Sequence, residues 1–160
     1  MEENGNIVKA VTDNQLKLDT DGIKRYIAIR EPVFLLDSAI VTPGKCAEGE
    51  KNLEKKEAFW EGHYPDYPIM PGTYQLEALA QLFSLTFLTM TEEKKMIPKL
   101  VGFDHVRFFK EVFPVGILYM QTELVSLKRG LAKGTGKAYV DDSMVCSVEI
   151  KTFIDGLEDM

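Results

Sequence analysis

The sequence predicts an α+β domain in which one antiparallel sheet curves around a single long, buried helix. Three observations carry that expectation. The chain has 160 residues, which suits one domain and one core. Between Pro71 and Met90 the residues Leu76, Leu79, Ala80, Phe83, Phe87 and Met90 recur at three- and four-residue steps. On either side of that segment the pattern changes to strands, two before it and four after it. A helix that is apolar on most of its circumference needs cover on most sides. An antiparallel sheet can supply that cover with one face and leave the other to water or a partner.

Taken in order, residues 1 to 20 are polar with scattered apolar positions and read as an N-terminal extension to a domain spanning 21–160. Asp21 to Ile29 reads as a short helix, with Ile23, Tyr26 and Ile27 at helical spacing. The apolar run Val33 to Leu36, continuing through Ala39 to Val41, reads as a strand that Pro43-Gly44 stops. A second strand follows near Cys46 to Glu57, and its many charges suit a solvent face or a sheet edge. Residues 62–72 hold Gly62, Pro65, Pro68, Pro71 and Gly72 and form a shaped loop. Pro71 suits the first position of the central helix, which would run about 30 Å to Met90 at roughly 1.5 Å per residue. Four strands follow: Leu100 to Phe109, Ile117 to Leu127, Leu131 to Val140 and Met144 to Ile154. Gly130 and Asp141-Asp142-Ser143 mark the hairpin turns between the last three.

Composition narrows the function classes. The 45% hydrophobic and 28% charged fractions are those of a soluble globular domain. A net charge of −6 argues against nucleic acid as a partner, because phosphate-backbone binding needs a basic surface. The most apolar stretch, Leu76 to Met90, is interrupted by Glu77, Gln81, Ser84, Thr86 and Thr89, so no membrane span is expected. The N-terminus is acidic where a secretory signal is basic, making the cytoplasm the default location. Cys46 and Cys146 lie far apart without a CxxC partner and read as buried free thiols.

Only two histidines occur, His63 and His105. His63 sits in the shaped loop, where catalytic groups are commonly presented, and His105 reads as a packing or hydrogen-bonding residue on a strand. Glu77 lies in the second turn of the helix among Leu76, Ala78, Leu79 and Ala80, where a carboxyl group should lose water and favour its protonated form. A base and an acid in contrasting surroundings make a proton-transfer pair. Gly72 stands in the first helical turn, where a backbone N–H has no intrahelical partner and can polarise a carbonyl oxygen. Gln81 follows Glu77 by four residues and can orient its carboxyl group by a hydrogen bond. Phe83, with Tyr74, Leu79 and Phe87, belongs either to the core or to the wall of an apolar tunnel. Each of these residues also has a bland reading, a packing histidine or a solvent-facing glutamate, which their order in the chain outweighs.

That order, Gly62-His63-Tyr64-Pro65-Asp66-Tyr67-Pro68-Ile69-Met70-Pro71-Gly72 continuing to Glu77-Ala78-Leu79-Ala80-Gln81, closely resembles the signature GHFPxxPxMPGxxxxEAxAQ of FabZ-type 3-hydroxyacyl-acyl-carrier-protein dehydratases. Tyr64 for Phe and Leu79 for Met are mild departures. The resemblance spans roughly residues 22 to 155. It takes in Pro32 to Asp37, similar to the family's PFLLVD, and Val101 to Phe108, similar to a later family strand. Elsewhere Ala28-Ile29-Arg30 stands for PHR, Pro114-Val115-Gly116 for PGD, and Glu111 for a proline.

The resemblance implies a hot-dog fold and the dehydration of 3-hydroxyacyl thioesters to trans-2-enoyl thioesters in fatty acid or related acyl-chain biosynthesis. In that scheme His63 removes the proton beside the thioester carbonyl, Glu77 helps the 3-hydroxyl leave, and the Gly72 N–H holds the thioester oxygen. It further implies an acyl carrier protein as partner and a homodimer with His from one subunit and Glu from the other, which in many members assembles into trimers of dimers. Arg107 and Lys110 are either contacts for the acidic carrier or a solvated strand end. No metal or organic cofactor is expected, since the site offers no further ligands at usable spacing. Two other readings stay open: a hot-dog acyl thioesterase, and a non-catalytic acyl-binding hot-dog protein. The related FabA-type dehydratase and isomerase carries Asp where this chain has Glu77, so the non-isomerising type is expected.

Overall fold

The computed structural model describes residues 14–91 and 96–157. Seven strands form one antiparallel sheet around one long helix. The strands are β1 (Leu16–Asp19), β2 (Ser38–Thr42), β3 (Cys46–Asn52), β4 (Lys99–Phe108), β5 (Ile117–Lys128), β6 (Leu131–Val140) and β7 (Ser143–Phe153). The helices are α1 (Thr20–Tyr26), α2 (Ala58–Gly62) and α3 (Gly72–Leu88). The sheet order is β1-β2-β3-β5-β6-β7-β4. This is the hot-dog arrangement, with α3 enclosed by the concave face.

The enclosure follows from the helix sequence. Twelve residues of α3 are buried, among them Leu76, Leu79, Leu82, Phe83, Leu85 and Phe87. The buried hydroxyls of Ser84 and Thr86 donate to the carbonyls of Gln81 and Phe83, both at 2.7 Å, so neither is left without a partner inside the core. The sheet makes room where the helix comes closest. A Cβ on Gly49 of β3 would lie 2.7 Å from Leu82 Cδ1, and one on Gly134 of β6 would lie 2.3 Å from Phe83 Cε2. Glycine at those two positions is therefore a condition for the helix to seat against the strands.

Several boundaries differ from the sequence expectations. Residues 16–19, read as part of a polar extension, pair with β2 from Leu16↔Val41 to Asp19↔Ser38, and residues 1–13 lie outside the described residues. The first helix ends at Tyr26, not Ile29, because Ile27 has turned to extended backbone. Its start is capped by Asp19, whose side chain accepts the Gly22 N–H at 2.8 Å. Phe34 to Leu36 is buried and Val33 is exposed, but the run is not a strand. The Arg30 carbonyl accepts from both Val33 and Phe34 N–H, and the next backbone groups bond to a side chain of α3. An apolar run of four fits a buried irregular segment as well as a strand, and periodicity cannot separate them. β3 stops at Asn52, whose Oδ1 accepts the Glu54 N–H at 2.9 Å in a side-chain turn. It lies between β2 and β5 rather than at an edge, and α2 occupies the stretch that follows. The central helix starts at Gly72 with Pro71 as its N-cap, and ends at Leu88.

The four late strands fall where the period-two pattern puts them. Left-handed backbone at Arg129-Gly130 and at Asp141-Asp142 makes the two hairpin turns. β4 pairs only with β7, and so forms an edge with bulges after Leu100 and Asp104. Asp104 pairs with Lys151 at 2.6 Å across those two strands, which holds the aspartate below and the lysine above its usual pKa. Cys146 is buried, and desolvation pushes its thiol up to about 11, while Cys46 is a half-buried free cysteine. Among the described residues no helix is long and apolar enough to cross a membrane.

Candidate active site

The loop between α2 and α3 places His63. Its N–H donates to Phe59 O at 2.9 Å, making His63 the C-cap of α2, and its carbonyl accepts from Ile69 N at 2.9 Å. The His63–Tyr64 peptide is cis, and the two rings stack with centroids 4.3 Å apart. Within this loop Tyr64 and Tyr67 exchange backbone hydrogen bonds, and Tyr67 Oη donates to Glu111 Oε2 at 2.7 Å. The imidazole is half-buried, with Nδ1 3.0 Å from the Ile69 carbonyl oxygen. A carbonyl only accepts, so the neutral ring is assigned with its hydrogen on Nδ1. Nε2 then keeps its lone pair and can take a proton.

Glu77 lies on α3 and is half-buried in the single chain, less desolvated than its apolar neighbours in sequence suggest. The reason is its place on the helix, on the face shared with Gln81. Gln81 Nε2 donates to Glu77 Oε1 at 2.9 Å and to Val33 O at 2.9 Å, while its Oε1 accepts from Leu35 N at 3.0 Å. One buried amide thus anchors the irregular Val33–Leu35 segment to the helix and orients the glutamate. Sequence spacing identifies the Glu77–Gln81 pair, but nothing local indicates the two backbone partners, which lie more than 40 residues away. Replacing Gln81 with Leu is expected to lower stability by about 1–3 kcal/mol, because the Leu35 N–H then stays buried without an acceptor. Urea unfolding with an unchanged m value measures it.

Gly72 is the first residue of α3, whose N-cap, Pro71, offers no side-chain cap. The helix therefore presents open N–H groups at the positive end of its dipole. The ring of Phe108, at the end of β4, covers this glycine so closely that a Cβ would lie 2.6 Å from Cζ. That contact has no signal in the sequence, since it depends on β4 crossing to the far edge of the sheet. Gly72 and its neighbours bring the helix start, the edge strand and the His63 loop together, with Met70 N bonded to Val112 O at 2.8 Å.

Phe83 is fully enclosed, 5.5 Å from the Phe87 ring and against Gly134, which is a core position. His105 is exposed on the β4 bulge, with Nδ1 3.2 Å from Glu149 Oε2. Arg107 is exposed, and Lys110 bonds to Ser143 Oγ at 3.1 Å. Within one chain His63 and Glu77 hydrogen-bond to Ile69 and Gln81, not to each other.

A family model described as a FabA-like domain matches residues 31–149. The chain is 39% identical over 134 residues to the 3-hydroxyacyl-[acyl-carrier-protein] dehydratase FabZ of Clostridioides difficile (strain 630), covering 83% of this chain and 94% of that protein. It is also 39% identical over 134 residues to the protein of the same name from Bacillus subtilis (strain 168), covering 83% and 95%. Among solved structures, the dehydratase heterocomplex ApeI:P from Xenorhabdus doucetiae matches with a TM-score of 0.68 at 16% identity, over 84% of this chain and 91% of that one. A sigma28-regulated virulence protein from Campylobacter jejuni matches with a TM-score of 0.64 at 8% identity, over 85% and 98%. At such identities the structural likenesses speak for the fold alone.

Proposed function

The chain belongs to the FabZ-type dehydratases of the FabA-like family, and from that premise we propose that it removes water from 3-hydroxyacyl thioesters carried on acyl carrier protein, within fatty acid or related acyl-chain biosynthesis. The thioester carbonyl accepts a hydrogen bond from the Gly72 N–H at the start of α3, where the helix dipole stabilises the enolate-like oxygen. His63 Nε2 takes a proton from C2. The C3–O bond breaks as Glu77 gives its proton to the departing hydroxyl, leaving a C2–C3 double bond and water. The proton on His63 then returns to the Glu77 carboxylate, so the cycle closes without net proton change. Gln81 holds the carboxyl group in place throughout.

The observation that carries this reading is the His63 Nδ1 contact with Ile69 O, which leaves Nε2 as an available base. Two features support a homodimer whose sites combine His63 of one subunit with Glu77 of the other. The two residues have separate partners within one chain. And β4 leaves a ten-residue edge open, with Val101 58% and Phe108 50% exposed, which a second copy can cover by extending the sheet.

The test is absorbance of the 2-enoyl thioester formed from a 3-hydroxyacyl-carrier-protein series, followed in both directions. Reversible enoyl formation is the expected result. Free thiol as the product would identify a thioesterase, and carrier binding without turnover would identify a binding protein.

A further inference from the structure

His63 stands at one end of a short lever whose other end is clamped from inside the protein. Lys51 occupies an inward position of β3, in the alternation that also turns Ala47 and Gly49 inward, and is only 2% exposed. Its Nζ meets Glu57 Oε1 at 2.5 Å. Glu57 is the N-cap of α2, yet its side chain makes no capping bond, so the carboxylate serves Lys51 and not the helix start. From there the Glu57 carbonyl accepts the Trp60 N–H at 3.1 Å, and the Phe59 carbonyl accepts the His63 N–H. Phe59 is buried with its ring 4.9 Å from Tyr74 of α3, which gives the lever its pivot.

A charge taken this far out of water is costly, and an apolar pair of similar volume stabilises such a position as well or better. Stability alone therefore gives no reason for an ion pair here. What the pair adds is a tether, because the enclosed Lys51 ammonium needs an anionic partner and the partly buried Glu57 carboxylate supplies it, fixing the start of α2 to β3. Next to it lies a cavity of about 370 Å³, lined in part by Leu35, Leu36, Lys51, Glu57 and Ala58, into which an unclamped Glu57 can turn.

On the reading of His63 as the base, we propose that Lys51 is a positioning residue that acts through Glu57 and α2 to hold the His63 imidazole against Ile69 O. The Trp60 N–H bond to Glu57 O and the His63 N–H bond to Phe59 O tie the two ends of α2, and a displacement at Glu57 passes along one helical turn to the His63 backbone.

The test uses the full-length protein with Lys51→Met and with the double variant Lys51→Met/Glu57→Leu. Readouts are kcat and KM on a 3-hydroxyacyl-carrier-protein substrate, thermal unfolding, and the imidazole ¹H–¹⁵N signals, with those of exposed His105 identified by His105→Gln. In Lys51→Met, kcat is expected to fall roughly ten- to hundredfold, the scale that a misplacement of about 1 Å produces. KM should stay within about twofold, and the His63 Nδ1–H signal should move or broaden. The double variant should regain thermal stability but not kcat. Recovery of kcat together with stability, or an unchanged imidazole signal with normal kcat, overturns the proposal. Should Lys51→Met not fold, the double variant decides by the same two criteria. A moved imidazole signal in a protein whose wild type shows no dehydration upholds the mechanical link and overturns the dehydratase reading instead.

Discussion

Replacing His63 with alanine is expected to lower kcat/KM for enoyl-thioester formation by roughly 10²–10⁴-fold, the range that a positioned general base contributes. The loss should fall on kcat, since the imidazole acts on a proton that leaves only in the transition state. Folding should survive. The side chain is half-buried and makes one polar bond, from Nδ1 to Ile69 O, whose removal costs about 1 kcal/mol. The backbone bonds that shape the loop, His63 N to Phe59 O and Ile69 N to His63 O, remain in the variant. Enoyl absorbance on purified protein, beside a denaturation curve, separates lost chemistry from lost structure. A rate near that of the wild type would remove His63 from the mechanism.

Glu77→Gln is expected to reduce dehydration to a similar extent by a different route. The amide keeps the shape of the carboxyl group and still offers an oxygen to Gln81 Nε2, but it has no proton to give a departing hydroxyl. The two inactive variants also test the assembly. In a two-fold dimer that shares residues across subunits, a mixed dimer of His63→Ala with Glu77→Gln holds one site carrying both native groups and one carrying neither. Refolding the two together in equal amounts should therefore restore about a quarter of wild-type activity. No recovery, with mixed dimers shown to be present, would place each site within a single chain.

How far these residues could be read from sequence depends on the range of the interactions that position them. The Glu77–Gln81 bond joins neighbours on one helical face, and spacing alone reveals it. The four late strands and their two hairpin turns were equally legible, because hydrophobic alternation and turn residues are local signals. Lys51 shows a signal that was present but outweighed. Its place two residues beyond Gly49 and four beyond Ala47 puts it on the inward face, yet the surrounding charges make the segment read as solvated. Val33 to Leu36 shows the reverse case. Four apolar residues look like a strand, but their backbone bonds go to the Arg30 carbonyl and the Gln81 side chain instead of a neighbouring strand.

By itself the sequence determined that a single enclosed helix would be wrapped by an antiparallel sheet. It also determined that a loop histidine and a helix glutamate would stand within one recognisable motif. Both are written in short-range patterns, the helical and strand periods and the order of residues from Gly62 to Gln81. Only the tertiary structure decided that β4 crosses to the open edge beside β7, that Phe108 covers Gly72, and that Lys51 reaches Glu57 inside the protein. The first two depend on which strands pair and at what register, and the third on where the turn after β3 brings Glu57, the N-cap of α2. Many arrangements satisfy the same local pattern, and they are separated only by how well the whole core packs and satisfies its buried polar groups.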